Sequence, residues 1–164
     1  MACRAFVQKC FAETVAKGGH DGTVLNTLRV ISARPGYIRT SLKIEQKHVN
    51  NHKTIHGGAI LSMTDTVTSL AISTMGYPPP TGVSVNISTE FVRPGGKVGD
   101  ELISVGEVVK MGRTMAYTRV SFFTPDDKLV AFGSHTKYMA TAKQTTSFSS
   151  DGEAEQPSEP KAKL

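Results

Sequence analysis

The sequence predicts an α+β protein in which an antiparallel sheet wraps around one long helix. Three observations predict this class: one segment with helical spacing near the middle of the chain, two strand-like segments before it and four after it. A single long helix must then cover the apolar face of the sheet, and a sheet that curves around the helix is the economical solution. With 164 residues and 38% hydrophobic content, the chain is long enough for one compact domain.

The N-terminal segment is predicted to be a short amphipathic helix. Phe6, Val7, Cys10 and Phe11 recur at helical spacing, and the pair Gly18-Gly19 supplies a stop. Three basic residues against one acidic residue give this segment a faint similarity to a mitochondrial presequence, but it lacks the Arg and Ser content of one. We therefore expect a helix that docks on the domain.

The remaining elements follow from changes in hydrophobic period. From residue 23 the period is two, and the Pro35-Gly36 turn divides the segment into two strands. Helical spacing then covers 57–75, and the run from Gly76 to Pro80 ends that helix. Four further strands are predicted as an antiparallel meander, at 82–92, 100–110, 113–123 and 128–139.

The last 24 residues, 141–164, are predicted to form a disordered polar tail, which leaves residues 1–140 as the folded domain. The segment contains one aromatic residue, no Val and no Ile, and it is rich in Ser, Thr, Glu, Pro and Lys. Such a composition buries too little apolar surface to offset the entropy of ordering.

Charge and composition narrow the classes of partner. The net charge is +5, and the tail carries three Lys against one Asp and three Glu, so residues 1–140 stand at +6. The basic residues are scattered singly, which argues against a nucleic-acid partner. No segment approaches the ~18 consecutive apolar residues of a membrane span, so a membrane protein is not expected. Two cysteines are too few for a secreted disulfide scaffold, which favours a cytoplasmic location with mitochondria as the alternative.

Asp65 is the only ionisable residue of the predicted long helix. One interpretation is a carboxylate on the solvent side of the helix, which costs only a little helix propensity. The other is a carboxylate partly removed from water at an interface, where its raised basicity would let it activate a water molecule. The neighbouring threonines favour neither interpretation.

The sequence His56-Gly57-Gly58 stands immediately before that helix. Glycines at a helix start permit close approach of a ligand and leave unpaired N–H groups that can hold an oxyanion, with the helix dipole adding to their field. The alternative is a purely structural turn, in which the loop histidine forms hydrogen bonds with the backbone. The other histidines match no zinc spacing, so no metal is predicted. The serine elbow, dinucleotide and P-loop motifs are absent from the sequence.

Taken together, the spaced motifs resemble one family. They are Asn50, His56-Gly57-Gly58, Asp65, Gly82 to Val85, Phe91 to Pro94, Lys110 to Thr114 and Gly133 to Lys137. By these motifs, over about residues 5–140, the chain resembles the hotdog-fold acyl-CoA thioesterases of the PaaI-like group. The resemblance implies a hotdog fold, hydrolysis of an acyl-CoA thioester by water, and a homodimer that pairs into a homotetramer with its sites shared between subunits.

The resemblance also implies residue roles. Asp65 would act as general base or nucleophile, while the Gly57 N–H and the Asn50 side chain would polarise the thioester carbonyl. His56 would help to hold that carbonyl or the departing sulfur, and Ser84 would orient the attacking water. Strict alternation in 82–92, however, places Ser84 on the polar face of its strand, opposite the face that packs on the helix, so this role requires a strand end at a subunit boundary.

The coenzyme accounts for the basic charge, because compact phosphates can be clamped by single Lys and Arg residues. CoA is part of the substrate, so no separate cofactor is implied. The resemblance places a set of residues around CoA and the acyl arm: Ser84, Asn86, Phe91, Lys110, Met111, Gly112, Arg113, Thr114, Met115 and Tyr138. For Lys110 and Arg113 the alternative is an ordinary charged hairpin turn.

Two alternative functions fit the same fold. One is a hotdog dehydratase or hydratase that acts on acyl thioesters, although such enzymes use a differently placed His and acidic residue. The other is a non-catalytic acyl-CoA-binding protein, against which the presence of Asp65 argues. Release of free thiol from acyl-CoA distinguishes the hydrolase from both.

Overall fold

A computed structural model describes residues 1–156 and confirms the predicted α+β architecture. Helix α1 (Ala2–Ala16) and the short α2 (Gly19–Val24) precede strands β1 (Leu28–Arg34) and β2 (Tyr37–Lys43). After a 3₁₀ turn at Gln46–His48, the long helix α3 spans Gly57–Ser73. Four long strands follow: β3 (Val83–Phe91), β4 (Glu101–Met111), β5 (Met115–Phe123) and β6 (Leu129–Tyr138).

These six strands form one sheet in the order β1-β2-β4-β5-β6-β3, with antiparallel neighbours throughout. The predicted four-strand meander is therefore only partly correct. Strands β4, β5 and β6 are consecutive hairpins, but β3 pairs with β6 at the sheet edge while β2 pairs with β4. Alternation within each strand predicts the strands but carries no signal for which neighbours pair.

The core lies between α3 and the face of the sheet that packs against it. Helix α3 buries one apolar stripe, including Ile60, Met63 and Val67, against strand residues such as Ile38 and Phe122. This burial gives the helix its stability, because packing of an apolar face contributes more than propensity.

Gly106 in β4 lets the helix approach the sheet at this point. A Cβ added to it would lie 2.9 Å from Cγ1 of Val67 and 3.0 Å from Cγ2 of Ile38. Both neighbours are fully buried. Any larger residue at 106 would force the helix and the sheet apart.

The segment before β1 differs from the prediction. Residues 19–24 form α2, whereas a period of two was expected from residue 23. Gly18 and Gly19 both have φ of 73°, so the chain turns sharply between α1 and α2 instead of passing directly into a strand.

Part of the predicted disordered tail carries regular structure. Residues Ser147–Phe148 (β7) and Glu155–Gln156 (β8) pair as a small antiparallel hairpin. The ring of Phe148 is buried and lies 5.5 Å from the ring of Phe6 in α1. The composition of 141–164 is dominated by polar residues, so it does not reveal that the single aromatic residue anchors a hairpin to the domain. Residues 157–164 of the predicted tail lie outside the described residues.

Replacing Phe148 by Ala is expected to lower the free energy of unfolding by about 3 kcal/mol, since a buried aromatic ring is lost and a cavity remains. Urea denaturation measures this difference. Phe132→Ala is the matched control, because the Phe132 ring is 40% exposed and its removal should change stability by less than about 1 kcal/mol. Equal small losses in the two variants would show that the hairpin does not support the domain.

Candidate active site

The start of α3 presents backbone and imidazole donors. His56 is the N-cap, and its Nδ1 accepts a hydrogen bond of 2.8 Å from the Gly58 N–H. The neutral ring of this exposed residue then carries its proton on Nε2, which makes that atom a donor. The Gly57 N–H lies in the first helical turn, where the helix itself supplies no acceptor. Two donors therefore stand at the positive end of the helix dipole.

Asn50 lies in the tight loop that leads into α3. A bridge between Val49 and Ile55 closes this loop, and Asn50 Oδ1 accepts from the backbone N–H groups of His52 at 2.9 Å and Thr54 at 3.3 Å. These bonds fix the amide and occupy its oxygen. The NH₂ group is left as the end that can donate to a ligand.

A groove runs from the start of α3 to the end of β3. The Phe91 ring lies so close to Gly57 that a Cβ added to the glycine would be 3.2 Å from Cζ of Phe91. Only a glycine admits the ring at this distance from the helix backbone. The groove is lined by Gly57, Gly58, Leu61, Ile87, Ser88, Thr89 and Phe91.

Asp65 occupies the middle of α3 with 53% of its side chain exposed. Its Oδ1 accepts a hydrogen bond of 3.4 Å from Ser69 Oγ, one turn later, and lies 3.7 Å from Nδ1 of His135 in β6. The carboxylate therefore points towards the β6 side of the helix. More than half of the side chain is exposed, as the solvent-side interpretation expects, while its two polar contacts lie on the β6 side.

A chain of hydrogen bonds links β3, β6 and α3 beside Asp65. His135 Nε2 lies 2.8 Å from Ser84 Oγ, and His135 Nδ1 lies 2.7 Å from Thr68 Oγ1. Thr68 donates its own proton to the Thr64 carbonyl at 2.7 Å. Thr68 Oγ1 consequently accepts from Nδ1–H, which leaves Nε2 as the acceptor for the Ser84 hydroxyl.

The structure corrects the predicted orientation of Ser84. A β-bulge falls between Ser84 and Asn86, so the alternation changes parity at Val85. Ser84 before the bulge faces His135 on the helix side, and Thr89 after it reaches Thr64 of α3 at 2.8 Å. Val83 and Val85, expected against the helix, are instead 65% and 61% exposed.

His135 belongs to this cluster, and the sequence analysis did not single it out as a site residue. It is fully buried on the inner face of β6. Burial, together with the positive charge of Lys137, lowers the pKa of its imidazole to about 4, while the negative charge of Asp65 acts in the opposite direction. The one available signal was its place in an alternating strand, where Thr118, His135 and Lys137 occupy inward positions. That pattern marks burial but not function.

The neutral state of His135 should make stability depend on pH. An unfolded histidine takes up a proton near pH 6.5, whereas His135 in the folded protein does so only near pH 4. Between these values the unfolded state binds the extra proton, so the free energy of unfolding should fall as pH drops, with a slope approaching about 1.4 kcal/mol per pH unit. Denaturant titrations from pH 7 to 4 should show this slope for the wild type in excess of that for His135→Gln. Equal slopes would mean that the imidazole takes up its proton at the same pH in the folded and the unfolded protein, so that burial does not shift its pKa.

The predicted coenzyme residues fall into separate places. Lys110, Met111, Gly112, Arg113, Thr114 and Met115 form the β4–β5 turn and its ends, and Tyr138 pairs with Met115, so these seven are brought together. Asn86 pairs with Thr136 and faces away from α3, while Phe91 lies at the opposite end of β3, beside Gly57.

One chain does not bring the oxyanion donors and the carboxylate to the same carbonyl. Gly57 and Asp65 are eight residues apart on one helix, which corresponds to about 12 Å along its axis. Within residues 1–156, strand β3 pairs with a neighbour on one side only, and it exposes Val83, Val85 and Phe91. An exposed apolar edge strand is a template for pairing with another chain.

Two features are absent from residues 1–156. They contain no group of three or more His, Cys, Asp or Glu side chains placed to hold a metal ion. None of the helices there combines the length and the apolar character needed to cross a membrane.

Comparisons with known proteins identify relatives of this chain among thioesterases. Residues 52–131 match the family model described as thioesterase superfamily. Human acyl-coenzyme A thioesterase 13 is 32% identical over 71% of this chain and 82% of its own length. The acyl-coenzyme A thioesterase PaaI of Escherichia coli is 26% identical over 62% of this chain and 70% of its own. The crystal structure of zebrafish thioesterase superfamily member 2 superposes with a TM-score of 0.76 and 32% identity, covering 83% of this chain and 97% of that one.

Proposed function

The chain belongs to the thioesterase superfamily and is a thioester hydrolase, and we propose that it cleaves acyl-CoA thioesters to the free acid and CoA by attack of a water molecule activated at Asp65. The observation that carries the proposal is the cluster at the helix–sheet junction in which the half-exposed Asp65 carboxylate lies 3.7 Å from His135 Nδ1 and Ser84 Oγ lies 2.8 Å from His135 Nε2. This cluster can hold and deprotonate a water molecule.

In the proposed reaction, the thioester is hydrolysed through a tetrahedral intermediate. Asp65 accepts a proton from the water as the oxygen–carbon bond to the thioester carbonyl forms. The tetrahedral oxyanion collapses, the carbon–sulfur bond breaks, and the thiolate of CoA leaves with the electron pair. The proton on Asp65 returns to solvent or to the thiolate, so the carboxylate is restored.

Ser84 is suited to place that water. Its hydroxyl proton is committed to His135 Nε2, so Ser84 Oγ offers lone pairs to a water hydrogen. Asp65 Oδ2, the oxygen not engaged by Ser69, is suited to accept the other hydrogen. The bulge at Val85 turns Ser84 towards the helix side of the sheet, and this orientation supports the role that the resemblance implies for Ser84.

The oxyanion is held at the start of α3 in this proposal. The Gly57 N–H and the Asn50 NH₂ group donate to the developing charge, the Nε2–H of His56 lies beside the departing sulfur, and the helix dipole adds to the field. Each such donor is typically worth about 10²-fold in turnover.

Since Gly57 and Asp65 are about 12 Å apart along α3, we place the two halves of one site on two copies of the chain. Pairing of two β3 edges would extend the sheets into one and cover Val83 and Val85, with Gly57 of one copy near Asp65 of the other. This homodimer, and its pairing into a homotetramer, belongs to the proposal.

The turn at Lys110 to Thr114 is proposed to bind the phosphates of CoA. Lys110 and Arg113 are both exposed there, next to the partly exposed Tyr138 ring, so their charges are available to a ligand. Phosphate groups are recognised by such side chains through charge-assisted hydrogen bonds.

Arg113→Ala is expected to weaken acyl-CoA binding by about 1–3 kcal/mol, which is about 5- to 150-fold, and the loss should shrink as salt rises. The corresponding acyl-pantetheine thioester lacks the nucleotide phosphates and is the control substrate, whose hydrolysis should change little. Side-by-side kinetics of the two substrates make the measurement. If both substrates lost equally, Arg113 would support the fold or an interface and not the coenzyme.

The test of the proposed function is release of free CoA from acyl-CoA thioesters of graded chain length and from an aryl-acetyl-CoA, followed with a thiol reagent. Turnover of any of them supports the hydrolase. Hydration or dehydration of the acyl group without thiol release would identify the dehydratase alternative. Stoichiometric binding without turnover would identify the non-catalytic carrier.

A further inference from the structure

Lys137 is a buried lysine beside the proposed site. It lies on the inner face of β6 and is 6% exposed. Its Nζ donates to Ser69 Oγ at 2.8 Å and to Thr81 Oγ1 at 3.2 Å. Within residues 1–156 the ion pairs of the structure do not include Lys137, so its charge is held by hydroxyl groups.

The lysine is connected to Asp65 through Ser69. An ammonium group only donates, so Ser69 Oγ accepts from Lys137 and its own hydrogen is available to Asp65 Oδ1, 3.4 Å away. Lys137, Ser69 and Asp65 thus form a directed chain from β6 to α3, and the carboxylate oxygen at its end is Oδ1.

We propose that Lys137 is a positioning residue for Asp65, which through Ser69 fixes Oδ1 and so leaves Oδ2 directed at the attacking water. The inference rests on the proposed function, because it assigns a role in that same reaction. Lys137 does not touch the reacting atoms. It acts through the orientation of the carboxylate and the field of its own charge.

Burial makes a purely structural role for this lysine unfavourable. Desolvating an ammonium group destabilises the folded state, whereas a methionine of similar length would fill the same space without that penalty. The hydroxyl groups of Ser69 and Thr81 do not neutralise the charge. The positive charge of Lys137 instead interacts favourably with the nearby carboxylate of Asp65.

The charges around Lys137 set its titration. The cleft between α1, α3 and the loop before β3 also exposes Asp21 of α2 and Lys17 at the end of α1, and His135 lies two residues away on β6. Burial lowers the pKa of Lys137 from its ordinary value, while the charges of Asp65 and Asp21 act to raise it. The cation is therefore lost at a lower pH than that of an exposed lysine.

The experiment compares Lys137→Met and Ser69→Ala, each alone, together, and in the Asp65→Asn background. Lys137→Met should lower kcat about tenfold, the scale of coupling between residues in one network, with KM changed less than threefold. Ser69→Ala should lower kcat in the same direction, and the double variant should lose no more than Lys137→Met alone. In the Asp65→Asn background, both changes should alter the residual rate by less than twofold.

Two further measurements separate positioning from structure. The midpoint of thermal unfolding of Lys137→Met should equal or exceed that of the wild type. The fall of kcat at alkaline pH, expected as Lys137 loses its proton, should be absent from the variant. Lys128→Met, at a lysine with 61% of its side chain exposed, is the matched control and should leave kcat unchanged.

A folded Lys137→Met with kcat within twofold of the wild type, or equal losses in the wild-type and Asp65→Asn backgrounds, would overturn the inference. If Lys137→Met fails to fold, Ser69→Ala still decides, since it breaks the connection and keeps the lysine. Wild-type turnover measured in the same series reports on the proposed function separately: an active wild type with an unaffected Lys137→Met refutes only the positioning role. An inactive wild type refutes both.

Discussion

Asp65→Asn is expected to lower kcat for acyl-CoA hydrolysis by about 10²-fold or more, the usual scale for the loss of general base catalysis. The amide keeps the size of the carboxylate and can still accept from Ser69, so the fold and the oligomer should be preserved. What it loses is the ability to take a proton from the water that the proposal places beside Asp65 and Ser84. KM should change little, since the phosphates of CoA are bound elsewhere in the proposal.

Steady-state kinetics with the thiol reagent, together with gel filtration and thermal unfolding, make the measurement. Asp126→Asn is the matched control, because Asp126 is an exposed carboxylate in the β5–β6 turn that pairs with Lys128. Its turnover should equal that of the wild type. A rate for Asp65→Asn within a few-fold of the wild type would remove Asp65 from the mechanism.

The parts of the fold that the sequence predicts are those with a strong local period. The apolar stripe of Ile60, Met63 and Val67 predicts α3, and alternation predicts the long strands. The place of β3 at the sheet edge, by contrast, depends on pairing with β6, which leaves no local pattern. The docked hairpin around Phe148 depends on a contact with Phe6, near the opposite end of the chain.

The residues of the site also differ in how well the sequence alone predicts them. The sequence alone identifies Asp65 and Gly57 as candidates. Asp65 is an isolated charge on an apolar helix, and Gly57 lies at the start of that helix. The resemblance added Asn50 and Ser84. His135 and Lys137 needed the fold, since a buried histidine or lysine in a strand cannot be told from an exposed one until the register is known. The bulge at Val85 could not be predicted either, and it determines where Ser84 points.

The proposed division of the site between two copies predicts the second large effect. The structure places Asp65, Ser84 and His135 together in one chain, while Asn50 and Gly57 precede or begin α3 at the far end of the helix. If each site combines the first group with the second group of a partner copy, then two inactive variants can restore each other. Asp65→Asn and Asn50→Ala are each expected to lose about 10²-fold alone.

Equal amounts of these two variants, unfolded and refolded together, should form heterodimers as half of all dimers. Each heterodimer has one site in which both groups are intact, so turnover should rise to about a quarter of the wild-type value, some 25-fold above either variant alone. A site built within one chain predicts no rise, because every chain then carries one defect.

The matched control mixes Asp65→Asn with Ser84→Ala. Both residues belong to the same half of the site, so each heterodimer contains one half-site lacking the carboxylate and one lacking the hydroxyl. No intact site forms, and turnover should stay at the level of the parent variants. Recovery in the first mixture with none in the second would assign each residue to its half-site, whereas equal behaviour of the two mixtures would reject the shared site and the pairing of β3 edges that it requires.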